Sequence, residues 1–417
     1  MKTLKKPELL LPAGTLAKLK IAFLYGADAV YAGTPDMSLR AKSDFPVEEL
    51  REGIEFARNL GKKVYLTLNL FSHNKDADKL ESFVKTIKIL EPNGIIISDP
   101  GIFKYVKKEI PNIPLHVSTQ ANVCSWLTVD FWKSLGASLC VLGREVSFNE
   151  ALEIRQKCRD IKLEIFVHGA MCVSYSGRCL MSSFMAGRSA NKGACAHSCR
   201  WKYKSKLVLE EEKRPGEYFE LHEDEKGSYI LNSKDLCLMP VLDKILSAGF
   251  DSLKIEGRHK TEYYVAQTAR VYRKAIDDYF ENPKNWNPQF YMRELFTLQS
   301  RGYTLGFFNG TPDNSAQDYI DTSSRGDWRC AGTVKSFKDG QIEIEVKHKL
   351  KKGDKIEILT PSKFEPVEIV LDKIYDCLAK KEVLEINPGK TEQTAKILIP
   401  PGTEKSFQEH SQIRIKI

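Results

Sequence analysis

Four cysteines in one short stretch have the type and spacing for metal chemistry. In His168-Gly-Ala-Met-Cys172-Val-Ser-Tyr-Ser-Gly-Arg-Cys179, followed by Gly193-Ala-Cys195-Ala-His-Ser-Cys199, the intervals are six, fifteen and three residues. Thiolates are the usual ligands of iron-sulfur clusters, and four of them complete a 4Fe–4S cubane. Zinc accepts the same tetrahedral set, although the first interval is wider than the roughly 2 to 4 residues of common zinc motifs. A nucleophilic thiol paired with His168 or His197 is a third reading, and a set of inert buried cysteines a fourth. The other six cysteines read as small hydrophobes: Cys140 in a strand pattern, Cys124, Cys158 and Cys237 on helical segments, Cys330 and Cys377 near C-terminal strands.

Chemistry needs a frame, and the chain supplies a repeating one. Short β-branched apolar runs predict strands over Glu8 to Leu11, Ala29 to Ala32, Lys63 to Leu70, Gly94 to Ser98, Leu115 to Ala121, Leu139 to Arg144, Leu163 to His168 and Ser252 to Glu256. Between them, Thr15 to Tyr25, Pro46 to Asn59, Lys79 to Leu90, Asn149 to Arg159 and Leu236 to Ala248 carry apolar residues at helical spacing. Eight such units predict an α/β fold, a TIM-barrel-like (β/α)8 domain over residues 1–280, with an open doubly wound sheet as the other arrangement. In a barrel the C-terminal ends of the strands converge on one pocket. The polar residues at those ends are Asn69, Ser118 with Gln120, Arg144 with Glu145, His168, and Glu256 with Arg258. Arg144, Lys254 and Arg258 together suit a carboxylate or phosphate, while each alone serves equally as a structural ion pair.

The cysteines fall in a long insertion after the seventh strand, residues 169–231, which a barrel would present at its functional face. It continues into Arg200-Trp201-Lys202-Tyr203-Lys204-Ser205-Lys206. As a strand, this stretch places cations on one face and aromatics mostly on the other. That surface fits nucleic acid, with Arg200 and Lys202 on phosphates, or equally a solvated strand with core-facing rings. The charged run from Glu210 to Glu225 reads as an exposed hairpin. Residues 281–330, rich in Asn, Pro, Asp and Ser, read as a connecting region. Over 331–417, six short alternating strands and the turn Asp339-Gly340 predict a small C-terminal all-β barrel domain.

Composition narrows the classes. With 42% hydrophobic and 28% charged residues the chain is an ordinary globular protein, and its net charge of +8 supports a nucleic-acid partner only slightly. No window approaches the ~18 apolar residues of a membrane helix, and Leu9-Leu10-Leu11 is far short of a signal-peptide core, so a cytoplasmic location is expected. In that reducing compartment the cysteines point to metal or redox chemistry. His-Glu-x-x-His, Gly-x-Ser-x-Gly, P-loop and Gly-x-Gly-x-x-Gly motifs do not occur in the sequence.

Glu164-x-Phe166-x-x-Gly169-x-x-Cys172 and Ser176-Gly-Arg-Cys179, with Glu8-Leu-Leu-Leu-Pro-Ala-Gly14, Ser118-Thr-Gln-Ala-Asn122 and Lys254-Ile-Glu-Gly-Arg258, resemble the peptidase U32 family of collagenase-like proteins over essentially the whole chain. The resemblance implies a TIM-barrel-like fold. It aligns Cys172, Cys179, Cys195 and Cys199 with the family's cluster ligands. The compact Cys195-x3-Cys199 pair and the appended β domain look like the tRNA branch, whose members make 5-hydroxyuridine at the wobble position and depend on prephenate. A 4Fe–4S cofactor, prephenate as co-substrate, tRNA as partner, and a paralogous U32 subunit or electron donor are thereby expected. The resemblance supplies no catalytic set, so Asn69, Gln120, Arg144, His168 and Glu256 stand as pocket candidates. A peptidase acting through Cys172 or a metal, and a non-catalytic iron-sulfur scaffold for RNA or electrons, are the rival expectations.

Overall fold

The computed structural model describes residues 4–33, 45–70, 72–171, 176, 181–186, 195–196, 198–200, 209–210, 218–219, 222–224, 227–229, 233–312, 314–318, 324–389, 392–399 and 407–417. These fall into two compact units, one of residues 1–16, 28–258 and 300–325, the other of 17–27, 259–299 and 326–417.

The first unit is a closed parallel barrel. Its strands are β1 (Glu8–Ala13), β2 (Ala29–Gly33), β3 (Lys63–Leu68), β4 (Gly94–Ile97), β5 (Leu115–Val117), β6 (Leu139–Val141) and β7 (Lys162–Gly169), followed in the chain by β8 (Asp235–Cys237) and β9 (Ser252–Ile255). Each of the first seven pairs with the next. β9 then pairs with both β7 and β1, with Ser252 opposite Glu164 on one side and Glu8 on the other, which excludes the open sheet. Strands covered on both faces read as continuous apolar runs, which is why all eight barrel strands were visible in sequence.

The stretch Leu236 to Ala248 differs from its helical expectation. Its first residues form β8, antiparallel to β7 and parallel to a short strand β10 (Tyr303–Thr304), and only Leu242–Ser247 is α-helical. Apolar residues that cover a sheet edge mimic helical spacing over so short a run. The helices of this unit start on identifiable caps. Asp99 accepts from the amides of Gly101 and Ile102 ahead of Pro100–Glu109, and Ser147 with Glu150 forms a capping box ahead of Phe148–Lys157. Of the insertion, the described residues include the helix Met181–Ala186, a 3-10 turn at Ser198–Arg200, and two small antiparallel pairs within 209–229.

Inside the barrel, Leu10, Ala29, Tyr31, Tyr65 and Ile96 form one buried cluster. Polar groups share that interior in pairs. Lys254 Nζ lies 2.9 Å from Glu164 Oε1, both side chains buried, and Ser252 Oγ donates to Glu164 Oε2 at 2.7 Å. Tyr65 Oη donates to the Glu8 carboxylate at 2.9 Å, with the His116 ring 4.6 Å away. Burial, reinforced by the charges of Lys254, Lys162 and Lys63, pulls the His116 pKa down to about 3. The unfolded chain takes up that proton near pH 6.5 and the folded chain does not, so the unfolded state binds more protons between those values and stability falls on acidification. A slope of roughly 1.4 kcal/mol per pH unit from this residue alone is expected below pH 6.5. Urea midpoints measured from pH 7 to pH 4 should therefore fall less steeply in His116→Leu than in the parent; parallel curves would refute the assignment.

The second unit joins Leu16–Leu24 (mainly residues 17–24), Glu262–Glu281 and Pro288–Leu295 with an antiparallel sheet. Its eight strands run in the order Val367–Val370, Lys355–Leu359, Gln412–Lys416, Trp328–Lys338, Gln341–Val346, Thr394–Leu398, Ile374–Asp376, Lys381–Val383. Among the described residues these strands make the expected C-terminal all-β domain, an antiparallel sheet around one isoleucine-rich core. Asp339 and Gly340 turn the longest hairpin with φ of 50° and 73°, as an Asp-Gly pair favours. Residues 281–330 are more structured than a connecting region, since they hold the helix Pro288–Leu295 and strand β10. Tyr25 Oη donates to the Leu359 carbonyl at 2.7 Å and accepts from the Gln412 amide at 3.2 Å. Burial pushes the Glu294 carboxyl up, but Arg270 and Arg414 beside it, at 2.7 and 3.0 Å, outweigh that and hold it down at about 2. No helix of the described residues is long and apolar enough to cross a membrane.

Candidate active site at the barrel mouth

The sequence motifs meet at the C-terminal end of the strands. Glu256, the residue after β9, accepts from Arg144 Nη2 at 3.2 Å and from Tyr31 Oη at 3.4 Å. The Arg144 guanidinium lies 3.8 Å over the Phe166 ring, so arginine, glutamate and two aromatic rings make one rim. A register shift between Lys254 and Ile255 re-aims this end of β9 against β7. Gly169 ends β7 at φ 118°, and a Cβ there would stand 2.3 Å from the Glu256 carbonyl oxygen; only glycine permits the approach. A Cβ on Gly14 would likewise stand 2.7 Å from the Arg258 carbonyl oxygen.

The predicted site residues fare differently. Arg144 and Glu256 come together as an ion pair with about one-seventh of each side chain exposed, which gives the arginine a carboxylate of the protein itself. Lys254 lies deeper, salt-bridged to Glu164 with its ammonium 4.5 Å from the Tyr31 ring, so it is part of the barrel's packing. Arg258 is buried and donates to Thr67 Oγ1 at 3.4 Å. His168 is buried with its ring 5.4 Å from that of Tyr303. Asn69 and Gln120 are half-buried at strand ends, and the buried Gln120 Oε1 has no hydrogen-bond partner among the described residues. Cys172, Cys179, Lys202 and the Arg200 side chain lie outside the described residues.

Beside the rim is a second polar group. Glu145 accepts from Asn122 Nδ2 at 2.8 Å through Oε1 and from Ser176 Oγ at 3.1 Å through Oε2, and the Cys124 thiol donates to Oε1 at 3.6 Å. Burial, then the Glu145 charge, pushes the Cys124 thiol up to about 12, so it is a neutral donor and a poor metal ligand. Tyr31, Phe166, Thr67 and Cys124 were not among the sequence-level site residues. The Ala29–Tyr31 alternation in β2 was the available signal for Tyr31.

Of the four cysteines only Cys195 and Cys199 fall among the described residues, and no group of three or more His, Cys, Asp and Glu side chains able to hold a metal ion occurs among those described residues. Cys195 and Cys199 are half-buried, and neither is in a disulfide. The Ala196 amide donates to the buried Ser182 hydroxyl at 2.8 Å. Because Ser182 follows Cys179 by three residues and Ala196 follows Cys195 by one, that bond ties the flanks of the two cysteine pairs together. A small cavity of about 50 Å³ lined by Arg144, Phe148, Phe166, Leu236, Leu305 and Phe308 has room for a few waters at most and is not a substrate site.

Residues 14–318 match the model of peptidase family U32, and residues 327–408 that of the peptidase family U32 C-terminal domain. Among similar proteins, tRNA hydroxylation protein P of Haemophilus influenzae is 40% identical over 87% of this chain and 87% of its own length. The tRNA hydroxylation protein P1 of Bacillus subtilis is 39% identical over 89% and 87%. A 23S rRNA 5-hydroxycytidine synthase of Escherichia coli is 30% identical over 84% of this chain and 52% of its own length.

Proposed function

We propose that this chain, which belongs to peptidase family U32, is a tRNA-hydroxylating enzyme that converts a wobble uridine to 5-hydroxyuridine with prephenate as co-substrate. The observation that carries this reading is the similarity to tRNA hydroxylation proteins over seven-eighths of both chains, at 39 to 40% identity. The likeness to an rRNA base hydroxylase favours the same reaction class.

The mouth's residues have the chemistry this reading needs. Arg144, stacked on Phe166 and braced by Glu256, and Arg258 at the end of the motif Lys254-Ile-Glu-Gly-Arg258 are the cations suited to a carboxylate co-substrate. Tyr31 and Phe166 offer aromatic surface beside them. Cys172, Cys179, Cys195 and Cys199 would hold a 4Fe–4S cluster, which when bound supplies electron transfer or substrate activation. The protein's own residues bind and orient; an electron donor or a paralogous U32 subunit completes the system.

Deletion of the gene in a host without a redundant hydroxylation pathway should abolish 5-hydroxyuridine derivatives in bulk tRNA, read by mass spectrometry of digested nucleosides. Unchanged levels would sink the proposal. Peptidase activity rests on the family's name alone, and cleavage of gelatin by the pure protein would revive it.

A further inference from the structure

We propose that the second unit carries a stacking platform for an unpaired stretch of RNA, built on Trp286, Phe290 and Phe364; the proposal rests on the reading of tRNA as substrate. Four rings run in one row: Trp286 to Tyr291 at 5.5 Å between centroids, Tyr291 to Phe290 at 5.2 Å, and Phe290 to Phe364 at 5.5 Å. Phe290 is 44% exposed, and Trp286 and Phe364 are half-buried. The row is held from behind by the helix Glu262–Glu281. Trp286 Nε1 donates to the Ala275 carbonyl at 2.9 Å, Tyr291 Oη donates to Asp278 Oδ2 at 2.7 Å, and the Arg270 guanidinium lies 4.4 Å over the Phe364 ring. With those polar ends satisfied the rings are fixed in advance, so a base that stacks on them orders little of the protein.

The charges along the row fit a polyanion. Each ring with exposed surface has a cation within three residues: Lys284 before Trp286, Arg293 one turn after Phe290, and Lys363 beside Phe364. All three cations are exposed, and none is in an ion pair with a described residue, whereas Arg273 and Lys274 on the neighbouring helix are paired with Asp277 and Asp278. Single-stranded nucleic acid needs both parts of this pattern, cations for its phosphates and ring faces for its bases. Glu281 and Glu365, exposed and beside the row in sequence, offset part of the charge. The platform therefore adds to RNA affinity and does not supply most of it.

The test uses the full chain and fluorescence anisotropy with two labelled probes, a short oligouridylate and an RNA duplex of the same length, across a salt series. Phe290→Ala and Phe290→Leu should bind the oligouridylate about 10-fold more weakly than the parent, while Phe290→Trp, which keeps a flat ring, should match it. Duplex affinity should stay at the parent's level in all three, because its bases are already stacked on each other. Arg293→Gln should lower the slope of log affinity against log salt by roughly 0.7, the share of one single-strand phosphate contact. Thermal unfolding midpoints at the parent's value confirm that the variants fold. Oligouridylate affinity equal to the parent's in Phe290→Leu, with or without a change in oligomeric state, would overturn the platform and leave the hydroxylation reading intact. So would an equal loss on the duplex. A parent that binds neither probe overturns it as well, and nucleoside analysis of the deletion strain decides the hydroxylation reading separately.

Discussion

Lys254→Met is expected to lower the stability of the barrel unit by about 3 to 5 kcal/mol, because it strands the Glu164 carboxylate inside the barrel. The pair is 2.9 Å apart, with side-chain exposures of 7% and 1%, and Ser252 Oγ also donates to the glutamate at 2.7 Å. Removing one partner leaves a charge with neither water nor counter-ion, whereas removing both replaces an ion pair by apolar volume and is often neutral. Glu164→Leu combined with Lys254→Met should therefore recover most of the loss. Urea denaturation followed by fluorescence reads both. A single variant within about 1 kcal/mol of the parent would mean that the lysine finds water or another acceptor, and that the pair does not hold the barrel.

On the proposed iron-sulfur reading, Cys199→Ser is expected to purify with far less iron and sulfide than the parent and to lose the proposed tRNA hydroxylation, while Cys124→Ser and Cys140→Ser leave the metal content unchanged. The thiolate is the ligand, and burial pushes the thiols of Cys124 and Cys140 up to about 12, where they stay protonated and ligate poorly. Cys195 and Cys199 are half-buried beside a turn whose Ser198 side chain is buried with them. Serine keeps the size but not the soft sulfur that iron selects. Metal and sulfide assays on anaerobically purified protein decide it. A colourless protein carrying zinc would replace the iron-sulfur reading, and iron retained by Cys199→Ser would remove that cysteine from the ligand set.

The barrel was legible in the sequence because a parallel strand covered on both faces must be apolar throughout, as Leu9-Leu10-Leu11 and Ile95-Ile96-Ile97 are. The Asp339-Gly340 hairpin was legible for an equally local reason. What stayed hidden depends on partners far away in the chain. Arg144 and Lys254 read as anion binders by residue type, but their carboxylates are 112 and 90 residues distant, and no local pattern announces Glu256 or Glu164 as those partners. Strand β8 was hidden because three residues leave no period to detect. Glu145 was visible as a polar residue at a strand end, yet its link to Ser176 spans 31 residues and required the fold.

The hydroxyl of Tyr25 sets an order of events during synthesis. Its donor partner, the Gln412 amide, lies 387 residues later in the chain. At elongation rates of about 5 to 20 residues per second, the amino-terminal helix waits roughly 20 to 80 s for it. Until the last strand leaves the ribosome, one buried tyrosine and the surface around it are exposed to whatever else is nearby. A chaperone that engages the nascent chain would find its natural client in that interval, and premature termination near the carboxyl end would release a chain whose second unit lacks the Gln412–Lys416 strand.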